Sequence, residues 1–113
     1  RALAASHPDV RFTVTDGARG SWSWDGSVPS FEPAVPVASV AAAGAGDAHL
    51  AGVIAGLAAG LGMSAAHQLG VIVAAASVTS PHTIHPGLDR GLLAQTMRTG
   101  GDRWLPELRP MLE

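Results

Sequence analysis

The chain of 113 residues contains no cysteine, no lysine and no tyrosine, and its seven basic residues are all arginine. The lack of cysteine excludes disulfides, thiolate nucleophiles and thiolate metal ligands. The lack of lysine excludes a Schiff base and a phosphate-binding loop of the Gly-rich Lys-Ser/Thr type. A net charge of −2 provides no basic field, so nucleic acid is not an expected partner. Carboxylate, imidazole, hydroxyl and backbone groups remain for any chemistry.

The length suits one small domain, and a hydrophobic fraction of 47% argues against disorder. The first residues, Arg1 to Pro8, include no initiating Met and resemble the end of a helix cut from something longer. They also lack the apolar core of a signal peptide. We therefore expect a fragment of a cytoplasmic protein.

The N-terminal part of the chain has the pattern of short strands. Residues 10–15 alternate and are rich in β-branched side chains, which predicts a strand, and residues 21–24 predict a second one. Turn sequences follow each of them, at residues 16–20 and 25–26. Residues 28–37 contain three prolines, so that segment is expected to be extended or at a sheet edge and not helical.

The middle of the chain predicts two buried helices. Residues 48–88 contain no charged side chain. Apolar side chains at spacings of three and four predict one helix with a single buried face, formed by Leu50, Val53, Ile54, Leu57 and Leu61. The sequence Gly60-Leu61-Gly62 should end it, and Ser64 should cap a second helix that is apolar nearly all round.

Glycines at positions 52, 56 and 60 form a small-residue repeat of the kind that lets helices touch closely. The first helix is too short for the ~20 residues that a membrane span needs. Close packing against a sheet or a neighbouring helix is the better interpretation. A third helix is predicted over residues 88–98, with its arginines and Arg103 on a solvated face.

The sequence Gly44-Ala45-Gly46-Asp47 stands just before the first helix. Glycines allow a tight turn there, and the helix contributes unpaired N–H groups and the positive end of its dipole. Such a site suits phosphate or a phosphoryl group in transfer. Asp47 then has two interpretations, a base that takes a proton from an attacking hydroxyl or a simple helix cap. Local physics leaves both open.

These residues resemble a known family, the ribokinase-like (PfkB) carbohydrate kinases. Residues 40–52 are similar to the family signature, a Gly-Ala-Gly-Asp run leading into an Ala/Gly-rich helix. Residues 14–20 resemble its strand followed by Gly-x-x-Gly, and residues 74–79 resemble its helix over adenine. Residues 80–88 are similar to the loop of the pseudouridine-kinase-like branch. The resemblance extends from about residue 10 to about residue 93.

The resemblance implies a role for each matching residue. Asp47 would be the catalytic base, with Gly44, Ala45 and Gly46 as the anion hole. The nucleotide would be bound by Thr15, Gly17, Gly20, Ala75 and Val78. The phosphoryl donor would be ATP with Mg²⁺, and the acceptor a hydroxyl of a sugar or nucleoside. No resident metal site is implied.

The sequence departs from the family pattern at three places. The Asp-Thr that usually opens the signature is Ala41-Ala42 here, which puts dependence on a monovalent cation in doubt. His49 stands where an aromatic residue is usual, and Val71 where many members carry an Asn facing adenine. The catalytic carboxylate and the anion hole remain.

The predicted fold class is α/β, specifically the C-terminal part of a ribokinase-like three-layer α/β/α fold, with short strands followed by helices. Residues 1–113 would be one partial domain with the nucleotide and base side, lacking the N-terminal half that carries the substrate site and lid. Its expected partners are the small-molecule substrate and either a second copy or the missing half, with no membrane. Two rivals stay open, a non-catalytic nucleotide-binding or regulatory module and a structural fragment completed by another chain.

Overall fold

The computed structural model describes residues 11–38, 44–79 and 89–112. Three strands come first, β1 (Phe12–Thr15), β2 (Gly20–Trp24) and β3 (Pro29–Pro33). A 3-10 turn, Gly17–Arg19, joins β1 to β2. Four helices follow, α1 (Ala45–Ala58), α2 (Met63–Ser77), α3 (Arg90–Thr99) and α4 (Arg109–Leu112). The chain is thus mixed α/β, with strands before helices, as its sequence predicts.

The strands form an antiparallel sheet in the order β1-β2-β3. Residues two apart on a strand share a face, and on β2 Ser21 and Ser23 are buried while Trp22 is 48% exposed. The sheet packs against α2 through β2 and β3. Its covered face therefore carries polar side chains, and its aromatic face, where Trp22 lies 5.0 Å from Phe31 between ring centroids, points away.

Helices α1 and α2 form a hairpin whose contact is a seam of small residues. A methyl group built on Gly52 would lie 2.7 Å from the Cα of Gly70, and one on Gly56 would lie 2.9 Å from the Cα of Ala66. Close helix packing at Gly52 and Gly56 is thereby confirmed. Only a residue without a side chain permits this approach of the two backbones.

The predicted buried face of α1 is correct at Val53, which is 3% exposed, and wrong at Leu50 and Ile54, which are 51% and 57% exposed. His49, which was not predicted to be buried, is 3% exposed. The reason is that α2 can approach α1 closely only where the side chains are small, so the glycine face turns inward. Leu50 and Ile54 are consequently left on the outside of the hairpin.

The main core lies between α2, α3 and the C-terminal segment. Its largest fully buried members are Ile72, Met97 and Leu108. Trp104 closes it, donating its indole N–H to the carbonyl of Met97 at 2.6 Å. Helix α2 is buried on most of its surface, as predicted from its apolar composition.

Three details differ from the sequence predictions. Helix α2 begins at Met63 with Gly62 as its N-cap, so Ser64 does not cap it. Helix α3 begins at Arg90, where the carboxylate of Asp89 accepts the backbone N–H of Leu92 at 2.9 Å. Arg103 does not lie on a solvated face, because its guanidinium contacts the carboxylate of Glu32 at 3.1 Å.

Candidate functional site

A cleft of about 500 Å³ opens between the sheet, the start of α1 and the C-terminal half of α2. Its lining comes from four separate parts of the chain, residues 15–21, 34–37, 45–49 and 71–78. The lining residues are Thr15, Gly17, Gly20, Ser21, Ala34, Val35, Pro36, Val37, Ala45, Gly46, His49, Val71, Ala74, Ala75 and Val78. All of these side chains are uncharged unless His49 takes up a proton, so backbone groups and short side chains determine what the cleft can bind.

The first wall is the turn between β1 and β2. Gly17 and Gly20 have φ angles of +52° and +135°, a region that residues with side chains rarely adopt. At Gly20 a side chain is also excluded by space, because a Cβ would lie 2.8 Å from the Cα of Pro33. The turn is closed by the N–H of Asp16, which donates to the carbonyl of Gly20 at 2.8 Å. This wall therefore presents backbone rather than side chains to the cleft.

The second wall is the N-terminus of α1. Gly44 is the N-cap, with φ +84°, and has no side chain with which to cap the helix. The first N–H groups of a helix have no acceptor within it, so those of Ala45 and Gly46 are available at the cleft. The helix dipole adds a positive potential at the same place.

Asp47 lies in the first turn of α1 and is exposed to solvent. Because Gly44 occupies the cap position, the interpretation of Asp47 as the N-cap is wrong. A carboxylate in the first turn still interacts favourably with the helix dipole. Asp47 directly follows Gly46 in the chain, but its side chain is not part of the cleft lining.

The third wall is aliphatic. Val71, Ala74, Ala75 and Val78, all on or directly after α2, present short hydrocarbon side chains. Such a surface suits a flat apolar face, such as that of a purine ring, and offers it no polar side chain for base-specific hydrogen bonds. This wall includes Val71, the position that departs from the family pattern.

The structure brings most of the sequence-predicted site residues together. Those in the cleft lining are Thr15, Gly17, Gly20, Ala45, Gly46, Ala75 and Val78. Asp47 and Gly44 adjoin the lining in sequence without being part of it. The loop over residues 80–88 and the Ala41-Ala42 departure lie outside the described residues.

Sequence reasoning missed a buried polar cluster at the base of this cleft. The Oγ of Ser21 lies 2.7 Å from Nε2 of His67 and 3.2 Å from Nε2 of His49. The two imidazoles meet edge to face, with ring centroids 5.5 Å apart. A signal was present, since β2 alternates serine with tryptophan and each of the two helices of the hairpin carries one histidine, His49 and His67, within the charge-free stretch of residues 48–88.

Burial keeps both imidazoles neutral at ordinary pH. It lowers the pKa of His49. The pKa of His67 falls to about 4, chiefly through burial and further through the nearby His49 and Arg103. Removing a charged imidazole from water is unfavourable, which is why the pKa moves downward.

A second polar cluster fixes the sheet to the C-terminal segment. Gln68 donates from its amide nitrogen to a carboxylate oxygen of Glu32 at 3.1 Å and accepts the N–H of Leu105 at 2.7 Å. Arg103 pairs with the other oxygen of Glu32, donates to the carbonyl of Pro33 and stacks 4.5 Å from the ring centre of Trp104. These contacts hold β3 in place and thereby the segment leading into the cleft.

Among residues 11–38, 44–79 and 89–112, no three His, Asp or Glu side chains are grouped so that they could hold a metal ion. In the same parts of the chain, none of the helices has the length and apolar character needed to cross a membrane.

Comparison with known proteins identifies the family. The family model for pfkB family carbohydrate kinases matches residues 2–90, which include the sheet, the glycine-rich signature and the helix hairpin. The chain therefore belongs to the pfkB family of carbohydrate kinases, and its α/β architecture is compatible with part of a ribokinase-like fold. None of the curated proteins matches the sequence.

Proposed function

We propose that the intact protein transfers a phosphoryl group from ATP to a hydroxyl of a sugar or nucleoside. The observation that carries this proposal is the cleft of about 500 Å³, in which the N-terminus of α1 faces the glycine turn and the aliphatic wall. A nucleotide needs donors for its phosphates and an apolar surface for its base. The cleft offers both, and kinase chemistry is what membership of the family implies.

In this proposal the phosphates bind at the backbone N–H groups of residues 44–46. The ribose and base lie along Thr15, Gly17 and Gly20 on one side and Ala75 and Val78 on the other. Phosphoryl transfer depends mainly on positioning and on stabilising charge, which fixed N–H donors supply without reorganisation.

Asp47 is the proposed base. Its carboxylate lies in the first turn of α1, next to the proposed phosphate site, and its exposure leaves it accessible to an acceptor hydroxyl. Taking the proton of that hydroxyl would raise its nucleophilicity as it attacks the γ-phosphorus, while ADP leaves. Mg²⁺ would arrive with the phosphates, because Mg²⁺ bound to nucleotides keeps most of its waters and needs few protein ligands.

The alternative is a module that binds nucleotide without turnover. Two departures from the family pattern motivate it, Ala41-Ala42 in the signature and Val71 in the cleft lining. Under this alternative ATP still binds, and no acceptor supports ADP release.

The test is ADP release by the natural full-length protein with Mg-ATP and a panel of sugars and nucleosides, pseudouridine included. Asp47→Asn should reduce turnover by about 10²- to 10⁴-fold, the usual contribution of a general base, while ATP still binds. Asp102→Asn is the matched control, since Asp102 is an exposed carboxylate outside the cleft lining and is paired with Arg109.

Substrate-dependent ADP release that is lost in Asp47→Asn alone would support the kinase and identify its acceptor. Saturable ATP binding with no turnover across the panel would favour the regulatory module. If Asp47→Asn kept more than about a tenth of the turnover, the assignment of the base would be wrong.

A further inference from the structure

Ser21 links the two sides of the cleft through buried hydrogen bonds. It is the second residue of β2, directly after the glycine turn, and its side chain reaches His49 of α1 and His67 of α2. Ser21 and His49 are each 3% exposed, and His67 is fully buried. Three elements thus meet at one hydroxyl group.

The position of this link relates it to the proposed phosphate site. Ser21 and His49 both line the cleft, and His49 comes two residues after Asp47 on the same helix. A rotation or shift of α1 that moved Asp47 or the N–H groups of Ala45 and Gly46 would have to break the contact between His49 and Ser21. The link therefore constrains the N-terminus of α1 relative to the glycine turn.

The hydrogen-bonding capacity of the three groups makes the link specific. A hydroxyl has one proton, so Ser21 donates to one imidazole and accepts from the other. The shorter distance, 2.7 Å to His67, fits O–H donation, and the 3.2 Å contact fits N–H donation from His49. His67 is then an acceptor at Nε2, which requires its ring to be neutral, and His49 is a donor at Nε2.

An ordinary structural role is the competing explanation, since buried serines and histidines often do no more than satisfy each other's hydrogen-bonding groups. Two features go beyond it. The Nδ1 atoms of His49 and His67 are both buried without a hydrogen-bond partner among the described residues, so the cluster is a less favourable filling of this space than hydrocarbon would be. The cluster also includes a contact between the strand after the glycine turn and the helix that carries Asp47, made by Ser21 and His49.

We propose that Ser21, His49 and His67 are positioning residues that hold the N-terminus of α1 at the distance from the glycine turn that phosphoryl transfer requires. The expected effect on kcat rests on the proposed function. The structural part of the proposal, that the hydroxyl of Ser21 holds the first turn of α1 in place, does not require any ligand.

The decisive variant is Ser21→Ala in the natural full-length protein, with Ser23→Ala as the control. Ser23 lies two residues away on the same strand and face and is equally buried, at 3%. It differs in making neither of the histidine contacts found at Ser21. Ser21→Thr retains the hydroxyl, and His49→Gln retains an N–H donor in case the added methyl group of threonine does not fit.

Two readouts are measured on each variant. The first is hydrogen–deuterium exchange of the peptide over residues 44–50 without any ligand. The second is kcat and the KM for ATP. Ser21→Ala should speed exchange in this peptide and lower kcat by about 10- to 100-fold with little change in KM, because misplacing a catalytic group mainly affects the transition state. Ser21→Thr or His49→Gln should keep exchange and kcat close to the wild-type values, and Ser23→Ala should change neither.

Faster exchange with unchanged kcat would overturn the proposal, as would a loss of kcat with unchanged exchange, since Ser21 would then act directly. Equal effects of Ser21→Ala and Ser23→Ala would also overturn it. If the wild-type protein shows no turnover, the proposed function fails, and the exchange measurement alone decides whether the link holds α1.

Discussion

Adding one methyl group to Gly70 should force the two helices of the hairpin apart. A Cβ at this position would lie 2.7 Å from the backbone carbonyl oxygen of His49 and 2.7 Å from a methyl group of Val53. Normal contacts of this kind are about 3.5 Å or longer. The carbonyl belongs to a helix backbone and cannot rotate away, so α1 has to move.

The magnitude follows from two opposing terms. Overpacking a well-packed contact costs about 1 to 3 kcal/mol, and a collision with backbone belongs at the upper end. Replacing glycine by alanine within a helix contributes about 1 kcal/mol in the other direction. Gly70→Ala should therefore lower the free energy of unfolding by about 2 kcal/mol. Gly52→Ala should act similarly, since its Cβ would meet the Cα of Gly70.

The assay is urea unfolding of the natural full-length protein, followed by tryptophan fluorescence. Gly91→Ala is the matched control, because Gly91 lies in α3 and the nearest atom to an added Cβ is Oδ1 of Asp89 at 3.4 Å, an ordinary contact. It should be neutral or stabilising by up to about 1 kcal/mol. The double variant Gly52→Ala/Gly70→Ala should lose less than the sum of the two, because helices already separated accept the second methyl group more easily.

The reasoning would be refuted if Gly70→Ala were as stable as the wild type or gained stability in the manner of Gly91→Ala. Strictly additive losses would also contradict it, because they would mean that the two glycines do not share one contact.

Two further predictions concern stability. The pKa of His67 is about 4 in the folded protein against 6.5 for a free imidazole. As the pH falls, His67 therefore takes up a proton in the unfolded chain before it does so in the folded protein. The contribution of His67 to the free energy of unfolding is fully present above pH 6.5 and is lost as the pH falls towards 4. About 1 kcal/mol should be lost between about pH 7.5 and pH 5.5, and a His67→Gln variant that kept the same pH dependence in urea titrations would contradict this. Asp89→Ala removes the cap of α3 and should cost about 1 kcal/mol in the same assay, whereas Asp102→Ala should cost almost nothing.

Much of the candidate site could be predicted from sequence because it is built from local segments. The turn over residues 16–20 and the run Gly44-Ala45-Gly46-Asp47 are short, and glycines mark their backbone conformations. The order of strands and helices was predictable for the same reason, since periodicity of two or of three to four residues is a local property. The polar cluster was not predictable in this way, because its members lie 28 and 46 positions from Ser21.

The sequence by itself determined where the strands and helices form, which glycines shape the cleft and which family the chain resembles. The tertiary structure alone decided which face of α1 is buried. Periodicity identifies Leu50 and Ile54 as an apolar face, but the closest approach to α2 occurs through Gly52 and Gly56. It also decided that Arg103 pairs with Glu32 across 71 positions. In both cases the outcome depends on the shape and charge of a partner distant in sequence, which no local pattern contains.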